Sequence, residues 1–278
     1  MLVNYHTHTA RCGHASGEDR SYAERGLERG LKVLGFSDHV PVPFEDGHES
    51  RHRIPLARLE EYVESVLSLR EEFRGRIRIL LGFEVEYYPD YFEKVLELLA
   101  PYPVDYLLLG QHANHSSESF WNQRPFQEEE VLKTYVDRVL EGLSTRRFLY
   151  VCHPDLPQFT GDPKIYGREM QRLCRGVKAL GIPLEFNLLG LREERHYPTP
   201  AFWKIAAREG NQVIFGCDAH SPEAVADPKE LAAARELAKE YGLEPLLTDL
   251  SQTVPAFDEN QQHPAGGHGG TNPGNSPE

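Results

Sequence analysis

Positive charge is scarce in this chain: 30 lysines and arginines stand against 43 aspartates and glutamates, a formal net charge of −13 over 278 residues. A polyanion such as duplex DNA is normally met by a basic footprint, so the deficit argues against nucleic acid as the main partner. Long apolar runs are also missing. None approaches the roughly 20 residues of a membrane span, and the opening Met1-Leu2-Val3-Asn4 lacks a basic segment followed by an apolar one. A cytoplasmic protein that does not engage membranes is the expectation. Cysteine is sparse: Cys12, Cys152, Cys174 and Cys217 show no CxxC spacing, which excludes a disulfide scaffold and leaves small buried fillers as their expected role.

What the chain does have is regular alternation. Strand-like stretches at 2–6, 32–37, 78–84, 104–110, 147–152, 182–187 and 212–217 are separated by helix-like ones near 19–31, 56–74, 89–100, 127–144, 164–180, 199–209 and 228–241. The segment 56–74, for example, repeats apolar residues at Leu56, Leu59, Val63, Val66 and Leu67, close to a helical period. Pro89 suits the first turn of the helix near 89–100. Seven βα units suggest a single α/β domain over residues 1–254, a parallel barrel that is slightly irregular or one strand short, rather than a doubly wound sheet. From 255 to 278, Gly, Pro, Asn and Gln dominate. That composition cannot bury enough apolar surface to offset its ordering entropy, which predicts a disordered tail in which His263 and His268 hold no metal.

In a parallel barrel the site lies at the carboxyl ends of the strands, and there the sequence places metal-binding chemistry. His6-x-His8 leaves the first strand with its side chains on one face. Asp218-x-His220 leaves the last with the same step. Between them lie Ser37-Asp38-His39, Gly82-Phe83-Glu84, Gly110-Gln111-His112 and Cys152-His153, each at a strand end. Imidazole and carboxylate together suit Zn, Fe or Mn.

The set His6-Thr-His8, Cys12-Gly-His14, Ser37-Asp-His39, Gly82-Phe-Glu84, His112, His153 and Asp218-Ala-His220 resembles the polymerase-and-histidinol-phosphatase (PHP) superfamily across residues 1 to about 245. That resemblance implies a distorted (β/α)7 TIM-like barrel with three divalent ions, Zn, Fe or Mn in any mixture. It assigns His6, His8, Glu84 and Asp218 to one ion. Glu84 would bridge to a second held by His112 and His153, and His14, His39 and His220 would hold a third. Within the superfamily, Glu84-Val-Glu-Tyr-Tyr-Pro89, His153-Pro-Asp-Leu156 and Glu185-Phe-Asn-Leu-Leu-Gly-Leu-Arg192 look like the histidinol-phosphate phosphatase branch. The implied activity is conversion of L-histidinol phosphate and water to L-histidinol and phosphate, in histidine biosynthesis, by a metal-bridging hydroxide. The alternatives are another PHP-type phosphoesterase acting on nucleotides or DNA ends, a protein-tyrosine phosphatase, and a non-enzymatic metal-binding scaffold.

Three divalent ions, less Glu84, Asp218 and one hydroxide, leave roughly +3, which reconciles an acidic chain with a phosphate dianion as substrate. Arg192, just past the sixth strand, is the expected phosphate or transition-state clamp, since a planar guanidinium binds phosphate oxygens in pairs. Arg195 and His115 are further candidates for substrate contact. His196 is either a substrate contact or ordinary loop polarity. Asp38 either orients a ligand or caps a helix, and Glu185 and Asn187 share a strand face and could line the pocket. The loop 41–55 is a candidate lid, with His48 and His52 exposed on it. No sequence pattern specifies an oligomeric state.

Overall fold

The computed structural model describes residues 1–116 and 122–250. The tail expected from 255 onward lies outside the described residues. Seven strands, β1 (Val3–Asn4), β2 (Val33–Phe36), β3 (Arg78–Val85), β4 (Tyr106–Leu109), β5 (Phe148–Val151), β6 (Leu184–Asn187) and β7 (Val213–Gly216), form one sheet in sequential order. Every neighbouring pair is parallel. Helices α1 (Asp19–Glu28), α2 (Leu59–Glu72), α3 (Phe92–Leu99), α4 (Glu129–Ser144), α5 (Pro163–Leu180), α6 (Leu188–Arg192), α7 (Pro200–Glu209) and α8 (Pro228–Glu240) accompany them. The architecture is the expected TIM-like α/β barrel, nearly closed.

The strands are buried along their length apart from Arg78 at the start of β3. Strands covered on both faces read as short continuous apolar runs, which is why the runs located them. Inside the barrel the buried Tyr106 hydroxyl lies 2.6 Å from the Tyr5 carbonyl and 3.0 Å from that of Phe36, tying β4 to the first two strands.

Helix ends follow local chemistry. Asp162 and Asp227 cap α5 and α8, each followed by a proline at the first helical position. Expectation and structure differ at α3: Pro89 lies in the preceding turn, because the amides of Tyr91 and Phe92 both bond to the Tyr88 carbonyl before the helix begins. The short α6, which the sequence reading omits, starts where the Asn187 side chain accepts the Gly190 N–H. Among the described residues no helix is long and apolar enough to cross a membrane.

The seam between β1 and β7 positions the site. The two strands share no ladder and meet at one bridge, Thr7 with Ala219. There the His8 N–H donates to the Ala219 carbonyl at 2.9 Å, and the Ala219 N–H to the His6 carbonyl at 3.2 Å. Deeper in the seam, buried Asn4 accepts the Cys217 N–H at 2.9 Å and donates to Thr7 Oγ1 at 2.8 Å. Closure and the approach of His6-x-His8 to Asp218-x-His220 therefore rest on the same contacts.

Candidate metal centre

The strand ends and the loops that follow them bring His6, His8, His14, His39, Glu84, His112, His153, Asp218 and His220 to one place at the barrel mouth. His6 Nε2 and His8 Nε2 stand 3.1 Å apart. Asp218 Oδ1 lies 3.5 Å from the first and 3.1 Å from the second. Glu84 divides its two oxygens. Oε2 faces His6 Nε2 at 3.3 Å, His8 Nε2 at 3.5 Å and His39 Nδ1 at 3.2 Å, while Oε1 faces His153 Nε2 at 2.9 Å and His112 Nε2 at 3.7 Å. The ring of His14 lies 5.3 Å from that of His39 and 4.8 Å from that of His220.

The outward nitrogens fix where the protons are. His6 Nδ1 pairs with Glu185 Oε2 at 2.8 Å, His8 Nδ1 with Asp38 Oδ1 at 3.3 Å, and His112 Nδ1 with Glu86 Oε1 at 2.8 Å. Nδ1 of His14 and of His220 faces the backbone carbonyls of Cys12 and Asp218, at 3.0 and 3.1 Å. Each of these acceptors suits a hydrogen bond from Nδ1–H, which leaves Nε2 as the nitrogen turned inward, free to bind a cation in the neutral ring. Lone pairs of imidazole then face one another and two carboxylates. Positive charge satisfies such an arrangement, either as protons on the rings or as metal ions that replace them.

Several atoms here have no other partner. Glu84 Oε2, Asp218 Oδ1 and His153 Nδ1 are buried without a hydrogen bond, a costly condition for polar groups. Burial opposes charging His6 and His8, yet the nearby carboxylates, Asp218 foremost, hold both well above the usual imidazole range. Burial likewise opposes ionisation of Glu84 and Asp218, yet the facing histidines keep both well below the usual carboxylate range. At the outer edge, burial and then the neighbouring His8 push His220 down to about 3. The donor set thus presents ionised carboxylates and uncharged outer imidazoles, and divalent ions fit it: groups such as His6, His8 and Glu84, or His8, His39 and His220, place their ligand atoms within 4.8 Å of one another.

The backbone is shaped to this cluster. His153 (φ 29°) and Asp218 (φ 45°) both lie in the left-handed region, at a cost of roughly 1–2 kcal/mol each. A Cβ at Gly110 would fall 1.8 Å from Glu84 Oε1, so only glycine leaves room for that carboxylate.

Other expected residues are distributed differently. A cavity of about 380 Å³ opens above the cluster, and Arg195 lines it, donating from Nη1 to Tyr197 Oη at 3.0 Å. Arg192 does not line it. The turn of α6 carries its guanidinium to Glu230 (2.9 Å) and to the Asp218 carbonyl (3.2 Å), where it braces the strained backbone of Asp218. His115 is exposed and does not line the cavity. His196 lies against the Leu156 carbonyl at 2.7 Å and lines a separate cleft with Phe159 and Tyr166. Glu185 and Asn187 are fully buried beneath the cluster rather than lining the cavity. Asp38 caps no helix; it accepts hydrogen bonds from His8 Nδ1 and from the backbone N–H groups of Thr9 and His39, the last two at 3.1 and 2.8 Å. His52 is exposed but lines the cavity, its ring 5.8 Å from that of His14.

Sequence reasoning missed Arg53, Glu86 and Arg124, which also line the cavity. Buried Arg53, from the loop after β2, pairs with Glu86, which in turn holds His112. The signal for Glu86 was present in Glu84-x-Glu86, the same alternate spacing as His6-x-His8. Arg124 follows residues 117–121 and carries no motif of its own.

Comparison with known proteins bears on this geometry. The PHP domain family matches residues 4–188. A protein of Deinococcus radiodurans named "Probable histidinol-phosphatase" is 31% identical over 238 residues, covering 80% of this chain and 87% of the relative. The "Histidinol-phosphatase" of Bacillus subtilis is 27% identical over 252 residues, covering 77% and 92%. In fold, the chain is similar to the histidinol phosphate phosphatase of Lactococcus lactis, whose crystal structure holds Zn, L-histidinol and phosphate. The TM-score is 0.68 at 18% identity, covering 91% of this chain and 98% of that one.

Proposed function

The chain belongs to the PHP domain family, and from that premise we propose that it hydrolyses L-histidinol phosphate to L-histidinol and phosphate. One observation carries the reading: imidazole Nε2 atoms converge on the Glu84 and Asp218 oxygens that lack any hydrogen bond, beneath a cavity lined by arginine. His6, His8, Glu84 and Asp218 would hold one divalent ion, with Glu84, His112 and His153 around a second and His14, His39 and His220 around a third. The bound ions would supply positive charge to the phosphate oxygens and lower the pKa of water toward neutrality.

The chain's own residues do the rest. Glu185, Asp38 and Glu86 fix the rings of His6, His8 and His112 by accepting hydrogen bonds from their Nδ1–H groups. Arg195 and Arg124, both on the cavity wall, are placed to grip phosphate oxygens through charge-assisted hydrogen bonds. Arg192 serves the site indirectly, through the Asp218 carbonyl.

The test is phosphate release by metal-loaded protein from L-histidinol phosphate, AMP, phosphotyrosine and a 3′-phosphorylated oligonucleotide. Preference for L-histidinol phosphate by a wide margin is expected. Equal or better turnover of another substrate would move the chain to a different phosphoesterase activity of the family, a reading that relatives named "Probable phosphatase" at 20–23% identity keep in view.

A further inference from the structure

Asn187, the last residue of β6, is fully buried and is not in any metal-ligand pattern of the sequence. Its amide nitrogen donates to Glu185 Oε1 at 2.5 Å and to Asp218 Oδ2 at 3.0 Å. Its carbonyl oxygen accepts the Gly190 N–H at 3.0 Å, which caps α6. The cap settles which end of the amide is which, because a flipped side chain would point its NH2 group at a backbone donor.

We propose that Asn187 is the positioning residue that sorts two adjacent buried carboxylates into different roles. With one oxygen of each engaged by the amide, Glu185 is left with Oε2 for the His6 Nδ1 proton (2.8 Å). Asp218 is left with Oδ1, which has no hydrogen bond and faces the Nε2 atoms of His6 and His8. Glu185 is thereby held off the ion and Asp218 held onto it. Close packing leaves Glu185 little alternative: a Cβ at Gly216 would come within 2.4 Å of its carboxylate. The same amide that stands between two negative charges also anchors the helix carrying Arg192, which braces Asp218 from behind. This inference rests on the proposed ion at His6, His8, Glu84 and Asp218.

The test compares the wild type with Asn187→Ser and Asn187→Asp. Serine and aspartate are both good helix N-caps, and neither offers two N–H donors. Zinc affinity is measured by competition with a chromogenic chelator, and thermal melting is followed in EDTA. The expected result in both variants is a 10- to 100-fold loss of affinity for one zinc ion, the range seen when a group orienting a metal ligand is removed, with each variant still melting cooperatively in EDTA. If Asn187 only caps α6, both variants bind zinc as the wild type does, and the inference is overturned. If the wild type itself binds no zinc, the metal reading fails with it, so the two failures are distinct.

Discussion

At the scale of single residues, the arrangement separates arginines that the sequence leaves indistinguishable. Arg192 and Arg195 both follow β6, but one helical turn sends the first to Glu230 and Asp218 and the second to the cavity. Replacement of Arg195 by alanine is expected to lower kcat/KM by about 10- to 100-fold, the equivalent of a charged hydrogen bond of roughly 1.5–3 kcal/mol, with metal content unchanged. Arg192→Ala should leave KM nearly unchanged and reduce stability by about 1 kcal/mol, as for a partly exposed pair. Steady-state kinetics and a urea melt on the two variants check this. A larger rise in KM for Arg192→Ala than for Arg195→Ala would reverse the assignment. Spacing reports the face of a strand, so His6, His8, Glu84 and Asp218 were legible. The pairings of Glu185 with His6, of Asn187 with Asp218 and of Arg53 with Glu86 were not, because they join side chains 31 or more positions apart.

At the scale of elements, the seven strands were legible because each is a short run of apolar residues buried on both faces. Their ends mattered more than their lengths. Residues 2–6 read as a full strand, yet only Val3 and Asn4 pair with β2, and the remainder turns toward β7 to place His6 and His8. Asn4 is a polar residue in an apolar run, a sign that it bonds across the seam. Asn4→Ala removes an acceptor for the Cys217 N–H and a donor to Thr7, leaving buried groups unpaired. The expected cost is about 1–3 kcal/mol, seen as a lower urea midpoint at unchanged slope. A midpoint equal to wild type would mean that the single bridge between Thr7 and Ala219 closes the barrel unaided. Helix α6 escaped the sequence reading because five residues, Leu188-Leu-Gly-Leu-Arg192, are too few to show a helical period.

At the scale of the whole molecule, charge is concentrated where it is useful. A chain of net charge −13 meets an anionic substrate where positive charge gathers at its mouth, from the cavity arginines and from bound ions, so metal and fold should be coupled. Buried carboxylates and imidazoles lack their metal partners without the ions, and any ligand that binds the folded state alone stabilises it. At 100-fold excess over Kd the gain is about 2.7 kcal/mol per site. Chelation with EDTA is therefore expected to lower the melting temperature by roughly 5 °C or more for a domain of this size, reversibly on adding zinc. A melt indifferent to EDTA and zinc would argue that the cluster binds no ion.

The most direct measurement is an anomalous-scattering map from crystals of the zinc-loaded protein, collected across the zinc absorption edge. Peaks should stand among His6, His8, Glu84 and Asp218, between Glu84 and His112 with His153, and among His14, His39 and His220. A map with zinc bound elsewhere and no peak touching Glu84 would contradict the account.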